Sequence, residues 1–117
     1  MNALKRTMAA LSATALLAAA MPASAGLDLF IGTLTIENGE VVLTRCDIVQ
    51  NRYVLKDLAT TKAVATLLTK LPTMKGPVYA EVIGEYAEDG KGGNLLNVDG
   101  IENVTAGKTC HLLDLTH

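Results

Sequence analysis

The chain predicts a small, mostly β domain: a five-stranded barrel with one helix between the third and fourth strands and one disulfide across it. Three observations carry this expectation. Asn38-Gly39 separates two β-prone runs, the apolar spacing switches once to a helical repeat near residues 60–72, and only two cysteines, Cys46 and Cys110, occur.

The opening 25 residues, MNALKRTMAALSATALLAAAMPASA, set Lys5 and Arg6 before an apolar run from Met8 to Ala20 and end on Ala23-Ser24-Ala25. That is the layout of a secretory signal peptide, with cleavage expected after Ala25. The apolar run has 13 residues, short of the roughly 20 that a membrane-spanning helix needs. No cysteine stands at the expected cut to take a lipid. The mature chain, residues 26–117, is therefore expected to be periplasmic or secreted, without a membrane anchor, and to form one domain around one core.

The first strand is read in LFIGTLTI, Leu29 to Ile36, with Gly32 as a bulge or sharp bend. Asn38-Gly39 is the pair that a two-residue hairpin turn prefers, because both positions need positive φ. The return strand, EVVLTRCD, sets Val42, Thr44 and Cys46 on one face and Val41, Leu43 and Arg45 on the other. In RYVLKD, Tyr53 and Leu55 alternate with Arg52, Val54 and Lys56, the period of a half-buried third strand. In TTKAVATLLTKLP the period changes. Val64, Leu67, Leu68 and Leu71 fall on one helical face, Thr60 or Thr61 is the expected cap, and Pro72 the expected stop. PVYAEVIGEY, containing Gly84, reads as the fourth strand and NLLNVDGIENV as the fifth, joined by the polar, glycine-rich loop AEDGKGG. TCHLLDL is expected to end the chain in an extended segment.

The order β-β-β-α-β-β, with an early hairpin and glycine bends in the first and fourth strands, is that of an OB-fold. An open α+β sheet built from the same elements is the competing arrangement. Closing the sheet removes exposed edges and lets a chain of this size bury a core.

From residue 26 onward the chain has 8 basic and 12 acidic residues, a formal charge of −4. The basic residues are scattered, and Phe30, Tyr53, Tyr79 and Tyr86 are the aromatics, with no Trp. A nucleic-acid partner is not expected, since phosphate contacts need a concentrated basic surface and single strands need stacking platforms. In a small exported chain, two distant cysteines point to a disulfide. They are too far apart for the CxxC spacing of redox and zinc motifs.

The pattern of Gly32, Leu34, Gly39, Leu43, Cys46, Tyr53 and Leu55, then Gly76-Pro77-Val78, Val82 and Gly84, then Leu96, Val98, Ile101, Gly107 and Cys110 resembles the OB-like domain of bacterial envelope proteins. The example is the C-terminal domain of NlpE-type copper-homeostasis and envelope-stress lipoproteins. The resemblance covers most of residues 26–117 and implies a Cys46–Cys110 pairing. It carries neither a lipid-anchor cysteine nor the domain whose CxxC motif bears the copper association, so neither copper handling nor stress signalling transfers with it.

No GxSxG, HExxH or phosphate-binding glycine loop occurs. The chain is therefore expected to be a non-catalytic, cofactor-free binding module of the cell envelope. It would recognise a protein or small ligand through its barrel face and loops, notably Ala87 to Gly93. The candidate contact residues are Tyr79, Glu81, Glu88, Asp89 and Lys91. A second reading is periplasmic copper handling by His111, His117 and a methionine such as Met74, since imidazole and thioether both suit copper. Against it, strand neighbours point to opposite faces, so His111 is expected as a surface imidazole diverging from Cys110. The sequon Asn103-Val104-Thr105 matters only in a host that glycosylates it.

Overall fold

Asn38 and Gly39 both take positive φ, 52° and 78°, and reverse the chain between β1 (Asp28–Glu37) and β2 (Glu40–Arg45). The register runs unbroken from Glu37 opposite Glu40 to Gly32 opposite Arg45, as a two-residue primed turn dictates. The computed structural model describes residues 26–116. The expected signal peptide and His117 lie outside the described residues.

β3 (Arg52–Asp57) pairs with β2 and buries Tyr53 and Leu55, as their alternation predicts. α1 (Ala63–Lys70) continues into a 3-10 turn, Leu71–Thr73. β4 (Val78–Glu88) and β5 (Asn94–Ala106) form a long antiparallel hairpin, and a last 3-10 helix spans Leu112–Thr116. The strands close in the order β1-β2-β3-β5-β4, all antiparallel except β3 with β5. That is the OB arrangement, a closed barrel rather than an open sheet. Leu43, Ala80, Val82, Leu96 and Val98 are fully buried within it, and Val64, Leu67 and Leu71 bring the helix onto the same core.

Gly32 and Gly84 are places where strands come too close for a side chain. A Cβ on Gly32 would stand 2.2 Å from the Thr44 carbonyl oxygen, and one on Gly84 2.7 Å from that of Asn97. At Gly32 there is no bulge. β1 stays continuous and changes partners there, pairing with β4 through Asp28–Thr33 and with β2 through Gly32–Glu37. At Gly84 the register does shift: Ile83 faces Gly100 while Gly84 faces Val98, leaving Asp99 as the extra residue on β5.

The helix departs from expectation at both ends. Neither Thr60 nor Thr61 caps it. Asp57, at the end of β3, accepts the Val64 and Ala65 backbone N–H groups at 2.8 and 3.0 Å, while the Thr61 hydroxyl bonds the Leu58 and Val98 carbonyls. A carboxylate takes two of the unsatisfied first-turn donors where a hydroxyl would take one. Pro72 does not stop the chain but sits inside the 3-10 turn, where a missing N–H costs nothing. Leu68, at the edge of the apolar stripe, is 37% exposed. Replacing Asp57 by Ala is expected to cost about 1–2 kcal/mol in urea denaturation, and Thr60→Ala almost nothing. Equal losses in the two variants would contradict the cap assignment.

Two further corrections concern the loops. β4 runs on through Ala87 and Glu88, shortening the expected loop to Asp89–Gly93. The C-terminal segment is not extended: the chain turns at Gly107, whose N–H donates to the Pro77 carbonyl at 2.7 Å, and then coils.

Candidate functional site

The disulfide is where the end of β2 meets the chain that leaves β5. Cys46 and Cys110 are bonded, with their Cα atoms 5.5 Å apart, within the range such a bridge requires. The bridge brings the C-terminal segment against β1 and β2. His111 is buried there, its Nε2 3.0 Å from the Thr33 hydroxyl and 3.2 Å from the Thr44 carbonyl oxygen. A carbonyl only accepts, so that nitrogen carries the proton. The expected surface imidazole is thus corrected. Residues 107–111 are not strand, so alternation does not govern their side chains, and the ring folds back toward the bridge, 3.7 Å from the Cys110 sulfur.

Two hollows lie on the outer face of β1, β2 and β3. The larger, about 520 Å³, is walled by His111 and Asp114 and lined by Thr33, Thr35, Thr44 and Gln50. The smaller, about 220 Å³, lies over Val42 and Val54 between Asn38 of the hairpin turn and Asp89 and Asn94 of the β4–β5 connection. Glu37 and Arg52 line both and are ion-paired, forming the ridge between them. Lys56 pairs with Glu40 beside it. The result is one extended concave face with the C-terminal segment at one end and the β4–β5 turn at the other.

Asp89 holds that turn. Its Oδ1 accepts the Lys91 and Gly93 backbone N–H groups at 2.6 and 2.9 Å, and its own N–H donates to the Gly93 carbonyl at 3.2 Å. The backbone donors of Gly93 and then Lys91 favour the ionised carboxylate and hold its pKa below the usual aspartate range. A depressed folded pKa means the clasp is complete above the ordinary aspartate pKa and is lost as pH falls through the folded value. In an NMR titration the Asp89 carboxyl and the Lys91 and Gly93 amides are expected to shift together, at a lower pH than an unperturbed aspartate. A midpoint at or above the ordinary value would refute the clasp.

The sequence-chosen residues fall into two groups that the barrel does not bring together. Glu88, Asp89 and Lys91 stand at the far end of β4, where Asp89 borders the smaller hollow. Tyr79 and Glu81 lie near its start, about 23 Å away at strand rise. There the Tyr79 hydroxyl donates to Glu81 at 2.6 Å, the Asn103 amide donates to the other Glu81 oxygen at 2.7 Å, and the Lys108 ammonium sits 3.9 Å above the Tyr79 ring. The Tyr79 bond, then the Asn103 bond, lowers the Glu81 pKa, and the same Tyr79–Glu81 bond raises that of Tyr79.

Sequence reading missed the apolar rim of the disulfide. Ile48 and Val49 are 99% and 73% exposed, Leu112 and Leu113 78% and 72%. Ile48, Leu112 and Leu113 line a hollow of about 420 Å³ together with both cysteines and His111. The available signal was Ile48-Val49 itself, an apolar pair inside a short polar link between strands. Of the copper set, Met74 packs against the core, His111 is engaged with Thr33 and Thr44, and His117 lies outside the described residues. No group of three His, Cys, Asp or Glu able to hold a metal is found among the described residues.

Among solved structures, the chain is similar to the crystal structure of the Cpx pathway activator NlpE from Escherichia coli, with a TM-score of 0.52 and 17% sequence identity, over 77% of this chain and 48% of that one. The likeness shows a shared fold, in agreement with the resemblance read from the sequence, and the chain spans about half the length of that protein. No protein-family model and no curated protein matches the sequence.

Proposed function

We propose that this chain is an exported, non-catalytic binding module of the bacterial cell envelope that holds a protein partner across the outer face of β1–β3. The observation that carries this reading is the cluster of exposed aliphatic side chains around the disulfide. Single exposed leucines are ordinary. Ile48, Leu112 and Leu113, exposed together at the rim of a concave face, are what a partner covers, and here a covalent bridge fixes the two segments that bear them. Support for the setting comes from the disulfide, which favours an oxidising compartment, and from the fold shared with the Cpx pathway activator NlpE. The face is also where OB-folds take ligands, over strands two and three and between the β1–β2 and β4–β5 connections, so Glu88, Asp89 and Lys91 flank the expected contact.

Photo-crosslinkers placed at Ile48 and at Glu102, an exposed β5 residue outside the face, test the reading in the native compartment. One partner is expected from Ile48 and not from Glu102. Its capture is expected to fall at least tenfold in Leu112→Lys, and also on shortening the loop between Glu88 and Gly92, with thermal stability nearly unchanged because loop-length changes cost little. Equal products from both crosslinker positions, or capture indifferent to Leu112→Lys, would sink the assignment. Indifference to the loop change alone would remove the β4–β5 turn from the contact.

A further inference from the structure

A second concave surface, sharing no residue with the outer face of β1–β3, lies along α1 where the helix crosses β5. It is a groove of about 350 Å³ with Leu67, Met74, Ile101 and Val104 among its walls and Lys62 and Lys70 at its rim. Leu67 is buried, while Met74, Ile101 and Val104 are core-packed but only partly covered, so apolar surface faces the opening. The two lysines are eight residues apart on the helix, about 12 Å along its axis.

The segment that supplies the helix side of this groove is basic in an otherwise acidic protein. Between Asp57 and Glu81 the chain carries Lys62, Lys70 and Lys75 and no acidic residue, whereas the remainder of residues 26–117 holds twelve acidic and five basic side chains. Arg45, Arg52 and Lys56 are committed to Asp47, Glu37 and Glu40. Lys62, Lys70 and Lys75 are exposed, and among the described residues no ion pair or hydrogen bond engages the ammonium group of any of them. Small-molecule sites are typically hollows of roughly 300–1,000 Å³ with apolar walls and a few polar groups that fix orientation. An apolar channel with an unpaired ammonium at each end of its rim matches one ligand chemistry: a single alkyl chain carrying one anionic head. Met74 suits an alkyl chain of variable length, since its thioether has three rotatable bonds and fills irregular gaps.

We propose that this groove binds a single-chain anionic amphiphile, of the class of medium-chain fatty-acid carboxylates, with the chain against Leu67, Met74, Ile101 and Val104 and the head paired to Lys62 or Lys70. The concavity favours a monomeric ligand over a lipid surface, to which a protruding apolar face would be suited. Because the groove is separate from the outer face, the proposal stands or falls apart from the protein-partner reading.

The test uses dodecanoate below its micelle concentration, with dodecanol as the neutral analogue of equal chain length. Amide resonances of the exported protein are expected to shift saturably at residues 62–75 and 101–104. Dodecanol is expected to bind at least tenfold more weakly than dodecanoate, and Lys62→Gln/Lys70→Gln to lose at least tenfold in dodecanoate affinity at an unchanged thermal midpoint. Absence of saturable shifts, shifts confined to other surfaces, or equal affinity for the acid and the alcohol would overturn the proposal. So would binding to vesicles of anionic phospholipid without binding of monomeric dodecanoate, an outcome that assigns the lysines to a membrane surface instead. The dodecanol comparison on the unsubstituted protein keeps the charge argument testable even if the double variant folds poorly.

Discussion

Serine at both Cys46 and Cys110 is expected to lower the free energy of unfolding by about 4 kcal/mol, the chain-entropy value for a closed loop of this length. The bridged residues are 64 apart in sequence, so the bond constrains most of the unfolded chain, including β3, α1, β4 and β5. Small domains are often stable by only 5–15 kcal/mol in total, which makes this one bond a large share. The folded state loses something as well. The C-terminal segment is held by the bridge and by His111 against Thr33 and Thr44, and without the bridge it must be held by noncovalent contacts. Urea melts of the oxidised protein and of the double-serine variant measure the difference. A loss below about 1 kcal/mol would mean that the unfolded chain is already compact or that the bridge is strained.

Gly32→Ala is expected to destabilise by about 3 kcal/mol or more, at the upper end of the overpacking range. The new methyl would stand 2.2 Å from the Thr44 carbonyl oxygen and 2.8 Å from its carbon. Those are backbone atoms in a paired strand, which cannot rotate away as a flexible side chain would. Relief requires β1 and β2 to part at the one place where β1 changes partners from β4 to β2. Gly100 provides the control. No heavy atom lies within 4 Å of a Cβ built there, and its φ is not in the left-handed region, so Gly100→Ala should be neutral or stabilising by up to about 1 kcal/mol through the unfolded state. If both substitutions cost the same in denaturant melts, backbone entropy rather than close approach explains the strand glycines.

The parts of the fold that were legible in the sequence are those that local chemistry decides. Asn38-Gly39 sets a turn and therefore a register; the alternation of Tyr53 and Leu55 sets which face of β3 is buried; Val64, Leu67 and Leu71 set the face of the helix. What was not legible depends on partners remote in the chain. Asp57 reaches forward to cap a helix that starts six residues later, while Thr61, which looks like a cap, is drawn to the Leu58 and Val98 carbonyls. His111 was read as the neighbour of Cys110 on a strand, but the turn at Gly107 ends the strand first and the disulfide tucks the ring against β1 and β2. Nothing in the residues themselves distinguishes Leu112 and Leu113 from core aliphatics, and Ile48 and Val49 stand out only as an apolar pair in a short polar link. Only the closed barrel, with its interior already filled by residues such as Leu43, Val82 and Leu96, leaves them outside. The expected loop residues Ala87 and Glu88 became strand for a related reason, because β5 begins at Asn94 and pairs with β4 as far as Glu88.

The parallel pairing of β3 with β5 also bears on the order in which the molecule assembles. The hairpins β1–β2 and β4–β5 join near neighbours, through the pair at Asn38-Gly39 and the turn clasped by Asp89, and hairpins of this kind form in roughly 1–10 μs. The two seams that complete the cylinder join distant residues, Asp28 with Gly84 and Val54 with Leu95, and loop-closure entropy must be overcome before either seam contributes. Folding should therefore pass through two early hairpins and wait on their docking, at the millisecond-to-second rates typical of barrels rich in non-local contacts. The segment that carries Cys110 follows β5 and docks on β1 and β2, so Cys46 is expected to stay an accessible thiol for as long as the cylinder stays open.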